Sequence, residues 1–411
     1  MKKILIINHY ATPPMYGGLT RHHYFAKYLK KAGYHVKIIA SSAIHNSEIN
    51  MINKNDKQIW KEKTIDGVDY IYVKCCSYKN KIQRIINMLQ FYIRTKKIVK
   101  KYGKFDIIYS SSPQPLSALL GIKVAKKQKT TSIVEIRDLW PATIVDFNIL
   151  NKNNLIIKIL YKLEEYMYIK ADKLIFTIEG GIEYIKERKY ADKIDLKKIY
   201  HINNGIDLNE FKNNLKNNKV NDEDLNNENT FKILYTGSIR QAYNISQLLD
   251  VAKLIKEKGY DDIKFLIYGK GPYLDTLKIK CLNDNIDNVI FKGFVENKYI
   301  PYILSKSNIN LLQSINYDTL KYGTSQNKLF TYLASGKPII STMKNKYDLI
   351  KRYKCGITLE KVDIKNYYDS ILKIYKMSKE EYTKYCDNCY NLALEYDYQK
   401  LTKKLISIIE E

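Results

Sequence analysis

Residues 322–340 read YGTSQNKLFTYLASGKPII: a polar entry, a short helix with one apolar face, and the start of a buried strand. Thr324 or Ser325 is suited to cap the helix, Leu329, Phe330, Leu333 and Ala334 form its apolar face, and Gly336 with Pro338 ends it. Ile339-Ile340 then continues as a strand. Loop, helix and strand in so short a span are a repeating unit of a parallel α/β sheet. The first helical turn presents backbone N–H groups at the positive end of the helix dipole. Gly323 permits close approach and Lys328 adds a formal charge, so an anion fits there. Within this window alone, an ordinary short helix of an α/β domain is the competing reading.

The same alternation extends in both directions. Upstream, strands are predicted at Ile4–Ile7, Val36–Ala40, Tyr70–Val73, Phe105–Tyr109, Ser132–Ile136, Lys173–Thr177 and Lys198–Ile202, with helices between them. From Lys212 to Thr230 the chain is rich in Asn and charge and poor in apolar residues, which predicts a solvated linker or long loop. Strands resume at Phe231–Tyr235, Ile263–Tyr268, Val289–Phe291 and Asn308–Leu312. Helices are expected around Tyr367–Tyr375, Lys379–Glu395 and Leu401–Glu410. The fold class is α/β, with two tandem doubly wound domains facing a central cleft and strand-end loops at Gly17, Asp138, Gly237, Gly269 and Ser325 converging on it. The expected division is 1–206, then 207–390 beginning with the polar linker, then a terminal helix over 391–411 that packs back on the first domain.

A chain of 411 residues with 45% hydrophobic content is globular and too long for one ordinary core. Lys plus Arg (69) exceeds Asp plus Glu (43) by 26, so an anionic partner is expected: nucleic acid, a membrane surface or a phosphorylated small molecule. Nucleic acid is set aside, because neither an aromatic-basic motif nor a recognition helix is found. The six cysteines, Cys75, Cys76, Cys281, Cys355, Cys386 and Cys389, do not form a secreted disulfide framework, so a reducing cytoplasm fits. The lone Cys386–Cys389 pair lacks a second pair, and the Asp222-Glu223-Asp224 run lies in a segment with no supporting shell, so no metal site is assigned. The opening MKKILII has too short an apolar run for a signal peptide. No stretch approaches the roughly 18 apolar residues of a membrane span.

One segment stands apart. Lys79–Lys101 carries eight basic and no acidic residues, with Ile82, Ile85, Ile86, Leu89 and Ile93 at helical spacing. It suits either an anionic bilayer surface, giving a peripheral protein on the inner face of the membrane, or a core-facing helix with a solvated basic face.

Six stretches in order resemble the GT-B-fold glycosyltransferases of family four, retaining enzymes that use nucleotide sugars. They are Gly17-Gly18 with the following helix, Asn204-Gly205-Ile206-Asp207, Tyr235-Thr236-Gly237, Gly269-Lys270-Gly271-Pro272, Asn288–Gly293 and Ala334–Pro338. Arg137-Asp138-Leu139-Trp140-Pro141 and Ser325-Gln326-Asn327-Lys328 are similar to segments of a bacterial subgroup that builds O-antigen and capsule repeats. The resemblance implies a nucleotide-sugar donor, UDP-linked, and a saccharide or lipid-diphosphate-linked acceptor, with no cofactor and no metal. Donor contacts are then expected from Gly17, Gly18, Gly237, Arg240, Gly269, Gly271, Gly323, Thr324, Ser325, Gln326, Asn327, Lys328 and Thr331. Asp138 and Arg137 are the catalytic candidates, and Glu179 is a possible acceptor or sugar contact. Asp138 would face the acceptor hydroxyl or the charge developing on the sugar; a loop cap is its other reading.

The chain departs from the family at several points. Two family glutamates align with Gly323 and Thr331, the histidine of a His-Asp pair aligns with Arg137, and Gln326 replaces a proline. The Arg and Lys that usually meet the diphosphate are not matched, leaving Arg240 and Lys328 as substitutes by charge and position. A nucleotide-sugar epimerase or a phosphorylase shares this architecture. A degenerate protein that binds the donor without turnover is the remaining alternative.

Overall fold

The structure is a computed structural model that describes residues 1–112 and 114–411. The chain forms two units, residues 1–203 with 398–411, and residues 204–397. The division therefore falls at Asn203 and Tyr398, not at 206, 390 and 391. The helix Lys379–Glu395 lies wholly in the second unit, and only Tyr398–Glu410 belongs with the first.

In the first unit β1 (Lys3–Ile7), β2 (His35–Ser41), β3 (Trp60–Ile65), β4 (Val68–Val73), β5 (Ile107–Ser111), β6 (Thr131–Ile136), β7 (Lys173–Phe176) and β8 (Ile199–His201) form one sheet. Its order is β3-β4-β2-β1-β5-β6-β7-β8. Ile4, Leu5, Ile6 and Ile7 are fully buried, as a central strand covered by helices on both faces requires. All pairings are parallel except β3 with β4, where Trp60 faces Val73 and Ile65 faces Val68. The alternation of strands and helices did not predict this antiparallel edge.

The second unit contains β9 (Phe231–Thr236), β10 (Ile263–Tyr268), β11 (Val289–Gly293), β12 (Ile309–Leu312), β13 (Ile339–Ser341) and β14 (Gly356–Thr358). All are parallel, in the order β11-β10-β9-β12-β13-β14. The helix Ile245–Glu257 buries Leu248, Leu249, Ala252 and Ile255 against this sheet, the leucines and the isoleucine each contributing about 1.5–3 kcal/mol. Apart from the antiparallel edge strand β3, both sheets reverse strand order once, between β1 and β5 and between β9 and β12. Loops at the carboxyl ends of such strand pairs are where α/β sheets bind ligands.

The polar stretch 212–230 is not a free linker. Most of the helix Leu208–Asn217 and the short turn Glu223–Asn226 are built from it, and Phe211 and Leu225 are buried on either side. Asp222 and Asp224 both pair with Lys292, at 2.7 and 2.5 Å, so the two carboxylates share one ammonium that balances half of their charge. Cys389 is buried and turns its thiol toward the carbonyls of Lys337 and Cys355. Among the described residues no three His, Cys, Asp or Glu side chains group to hold a metal ion, and no helix is long and apolar enough to cross a membrane.

The helix expected within 79–101 runs Lys81–Ile98, capped by Asn80, which accepts from the Gln83 N–H, and continues as a tighter turn to Tyr102. Its core-facing side is Asn87, Phe91, Thr95 and Ile98. Ile82, Ile85, Ile86, Leu89 and Ile93 are all exposed, so the core-facing reading of that apolar row is overturned.

Candidate functional site

The switch point of the second unit brings together the loop after β9, the loop after β10 and the helix Asn327–Ala334. The cap of that helix is Gln326, with no side-chain hydrogen bond, so neither Thr324 nor Ser325 caps it. The helix begins later because Gln326 is itself extended, and just before it the Ser325 carbonyl accepts from the Asn204 side-chain amide at 2.5 Å. Tyr332, one turn into the helix, joins it to the end of β9 by accepting from the Thr236 N–H at 3.0 Å.

Lys328 is thereby aimed at the end of β9. Its ammonium donates to the Tyr235 hydroxyl at 2.9 Å, and Tyr235 in turn donates to the Ser238 carbonyl at 2.7 Å. The nitrogen lies 4.3 Å from the Tyr235 ring centre and 4.1 Å from that of Tyr243. Among the described residues no carboxylate pairs with it. Burial pushes its pKa down to about 7, while the two ring faces favour the charged form. A cation held by rings and a hydroxyl, with no counterion, is prepared for an anionic ligand.

The glycines around Lys328 serve close packing. A Cβ on Gly237 would lie 2.8 Å from Lys328 Cε, one on Gly269 would fall 1.8 Å from the Gly237 carbonyl oxygen, and one on Gly271 2.1 Å from that of Ile239. The Gly237 N–H donates to Tyr268 and the Ile239 N–H to Lys270, so the two loops lie backbone to backbone. Arg240 is exposed at the outer end of the first loop. Gly323 is buried at φ 105°, Thr324 is half-buried, Asn327 is exposed, and the Thr331 hydroxyl donates back to the Asn327 carbonyl. No carboxylate stands at 323 or 331. One end of the Gln326 side-chain amide is buried and unpartnered.

In the first unit, the loop after β1 carries Gly17 and Gly18, both at positive φ, and is closed by the Thr12 hydroxyl donating to the Gly17 carbonyl at 2.5 Å. Arg137 and Asp138 follow β6. The Asp138 carboxylate makes no hydrogen bond among the described residues, and the next helix, Ala142–Asp146, has Pro141 at its cap, so Asp138 is not a loop cap. Asp138 is exposed by surface area yet densely surrounded, which raises its carboxyl above the ordinary value while Arg137 opposes the rise. Water contact at its surface limits that rise. Asp138 lies on the lip of a small recess lined by Ser112, Pro115, Ile136 and Trp140. Arg137 is 7% exposed, and its Nη1 is buried without a partner. Glu179 is half-buried beyond β7, its charge felt by His201.

Sequence reasoning missed the network beneath this loop. Glu135 on β6 is fully buried and accepts from Arg21 Nε at 2.7 Å, from Ser111 at 3.0 Å and from Tyr109. His22 Nε2 is 3.3 Å from the same carboxylate, and its Nδ1 is bonded to Asn8. Arg21 also donates to the carbonyls of Ile202 and Asn203. Together Arg21, His22 and Arg137 hold the Glu135 carboxyl well below its ordinary value against the cost of burial. The available signal was one carboxylate within the otherwise uncharged strand TSIVEI.

Two largely parallel sheets, each with a switch point at which strand-end loops meet, make up the GT-B fold class. The chain belongs to the glycosyltransferases of that class: residues 16–210 match Glycosyltransferase Family 4, and residues 217–391 match Glycosyl transferases group 1. No curated protein matches it in sequence. Among solved structures it is similar to sucrose-phosphate synthase from Thermosynechococcus elongatus, with a TM-score of 0.74 and 14% identity over 100% of this chain and 98% of that one. It is also similar to HepE from Anabaena in complex with UDP and glucose, at 0.67 and 12% over 100% of both. A third is WaaG, a glycosyltransferase involved in lipopolysaccharide biosynthesis, at 0.66 and 13% over 99% of both.

Proposed function

We propose that this glycosyltransferase is a retaining enzyme that moves a sugar from a UDP-linked donor to a saccharide or lipid-linked saccharide. In this reading it acts in bacterial surface polysaccharide synthesis, at the inner face of the cytoplasmic membrane. The observation that carries the reading is Lys328, a cation without a counterion set between two aromatic rings beside a glycine-walled loop at the switch point of the second unit. A diphosphate there meets the ammonium and the first N–H groups of the helix Asn327–Ala334, which stabilise negative charge as the bond to the sugar breaks. A protein cation in this role makes the chemistry independent of metal, and the one D-x-D run is engaged by Lys292. In the first unit Asp138 is the free carboxylate for the acceptor hydroxyl or the developing sugar cation. The unpartnered Arg137 Nη1 is suited to an acceptor phosphate.

The test is turnover of a panel of nucleotide sugars with lipid-linked and soluble saccharides, with and without chelator. The wild type should release UDP in the presence of chelator. Lys328→Met should lose about 100-fold or more, and Asp138→Asn a similar factor. Donor binding without turnover on any acceptor would favour a degenerate binding protein, and release of an altered nucleotide sugar without acceptor would favour an epimerase.

A further inference from the structure

The five exposed apolar residues of the helix Lys81–Ile98 do not stand alone. The helix Leu155–Lys170 exposes Leu155 (72%), Ile156 (55%) and Ile159 (55%), and the segment before it exposes Phe147 and Ile149. Sheet topology places both helices on one face. The crossovers β4 to β5, β5 to β6 and β6 to β7 all advance in the same direction along the sheet, so a common right hand puts their helices on the same side. The helix Arg21–Lys31, which crosses from β1 to β2 in the opposite direction, takes the other side. The helix Pro115–Gln128 lies between the two and packs on both. Each helix returns antiparallel to the strands, so Ile82, Ile85, Leu155 and Ile156 sit at the carboxyl end of the sheet. Asp138 and the Gly17-Gly18 loop are at that same end.

We infer that these two helices form a single docking surface for an anionic lipid bilayer. Isoleucines and leucines reach the acyl boundary while lysines and arginines meet the headgroups. Lys79–Lys101 contributes eight basic residues, and 147–163 contributes Lys152, Lys158 and Lys162; neither segment holds an exposed acidic residue. A second copy of the chain would bring these same cations against each other, which disfavours a symmetric dimer through this face. Nucleic acid would leave the exposed aliphatic row without a partner. The surface sets the strand-end loops of the first unit close to the headgroup layer, where a lipid-linked acceptor carries its sugar. The inference rests on the proposed function only for that acceptor, because vesicle binding is read without turnover.

The experiment is flotation of the full chain with vesicles of phosphatidylcholine alone or mixed with phosphatidylglycerol. Binding is expected only with the anionic lipid and should weaken as salt rises. Ile85→Asp and Ile156→Asp should each lower partitioning by about tenfold or more, with melting temperatures unchanged at these exposed positions, while Leu282→Asp on the second unit should leave it unaltered. Unchanged partitioning of Ile156→Asp would overturn the joint surface. Loss of self-association in both variants, without an effect on vesicles, would assign the face to a second copy. Donor hydrolysis in solution, measured on the same preparations, tests the transferase reading separately.

Discussion

Gly237 and Lys328 occupy adjoining space so closely that a single added methyl group would collide: a Cβ on Gly237 lies 2.8 Å from Cε and 2.9 Å from Nζ of Lys328. The obstructed atoms are the far end of a flexible side chain, so the fold can yield where the function cannot. Gly237→Ala should cost about 1–3 kcal/mol, for a side chain at φ 136°, and raise the donor KM by roughly tenfold as the ammonium leaves the Tyr235–Tyr243 slot. Gly269→Ala differs in kind, because its Cβ would meet the Gly237 backbone oxygen at 1.8 Å. Soluble yield and thermal melts should collapse for Gly269→Ala, whereas Gly237→Ala should stay soluble with a melting temperature lowered by only a few degrees.

Lys328 also sets a pH dependence whose sign differs between folding and binding. Its folded value is about 7 against an ordinary 10.5. Between these values the unfolded chain holds a proton that the folded chain lacks, so this group's contribution to stability rises with pH from about 7 to 10.5. A bound diphosphate favours the charged ammonium, so UDP binding takes up a proton above pH 7 and its affinity falls by up to about tenfold per pH unit there. Calorimetry in buffers of different ionisation enthalpy measures that uptake. Lys328→Arg should flatten the profile. A flat wild-type profile would mean that no phosphate meets this nitrogen.

Much of this architecture was legible in residue patterns, and what was missed has physical causes. The buried runs of β1, β5, β6, β9 and β10 read as strands because both faces are covered and each is centred on consecutive aliphatic residues. Trp60–Ile65 escaped because WKEKTI lies at the sheet edge with four consecutive exposed residues. The turn at Glu223–Asn226 escaped because an ion pair to Lys292, far along the chain, holds it against the fold. At the site, charge and position identified Lys328. Its slot depends on Tyr235 and Tyr243, which only the fold brings beside the helix. The Arg21–Glu135 pair joins residues 114 apart, beyond the reach of any local pattern.

That pair carries a stability prediction. Both side chains are fully buried, so Arg21→Met leaves an uncompensated carboxylate and should destabilise the chain by about 3–5 kcal/mol. Adding Glu135→Leu should recover only part of this, since the carbonyls of Ile202 and Asn203 lose their donor in either variant. Glu135 is held below its ordinary value of 4.5. Its contribution is therefore fully present above that pH and is lost as pH falls through the lower folded value. Chemical denaturation at neutral and acidic pH measures both effects, and additive single-variant losses would dissolve the pair as a unit.

Arg137 should behave in the opposite way. Its guanidinium is nearly fully buried, its Nη1 has no partner among the described residues, and its neighbours Arg21 and His22 lie around the same Glu135 carboxylate. An arrangement with an unmet donor costs stability unless a ligand completes it. Arg137→Leu should therefore leave the melting temperature unchanged or raise it, while lowering kcat/KM for a phosphorylated acceptor by about 100-fold. Arg137→Lys retains the charge without the planar fork and should fall between the two. Affinity for UDP alone should not change, since that ligand is assigned to Lys328. A destabilised Arg137→Leu variant with an intact acceptor KM would make the residue structural and remove the acceptor phosphate from this loop.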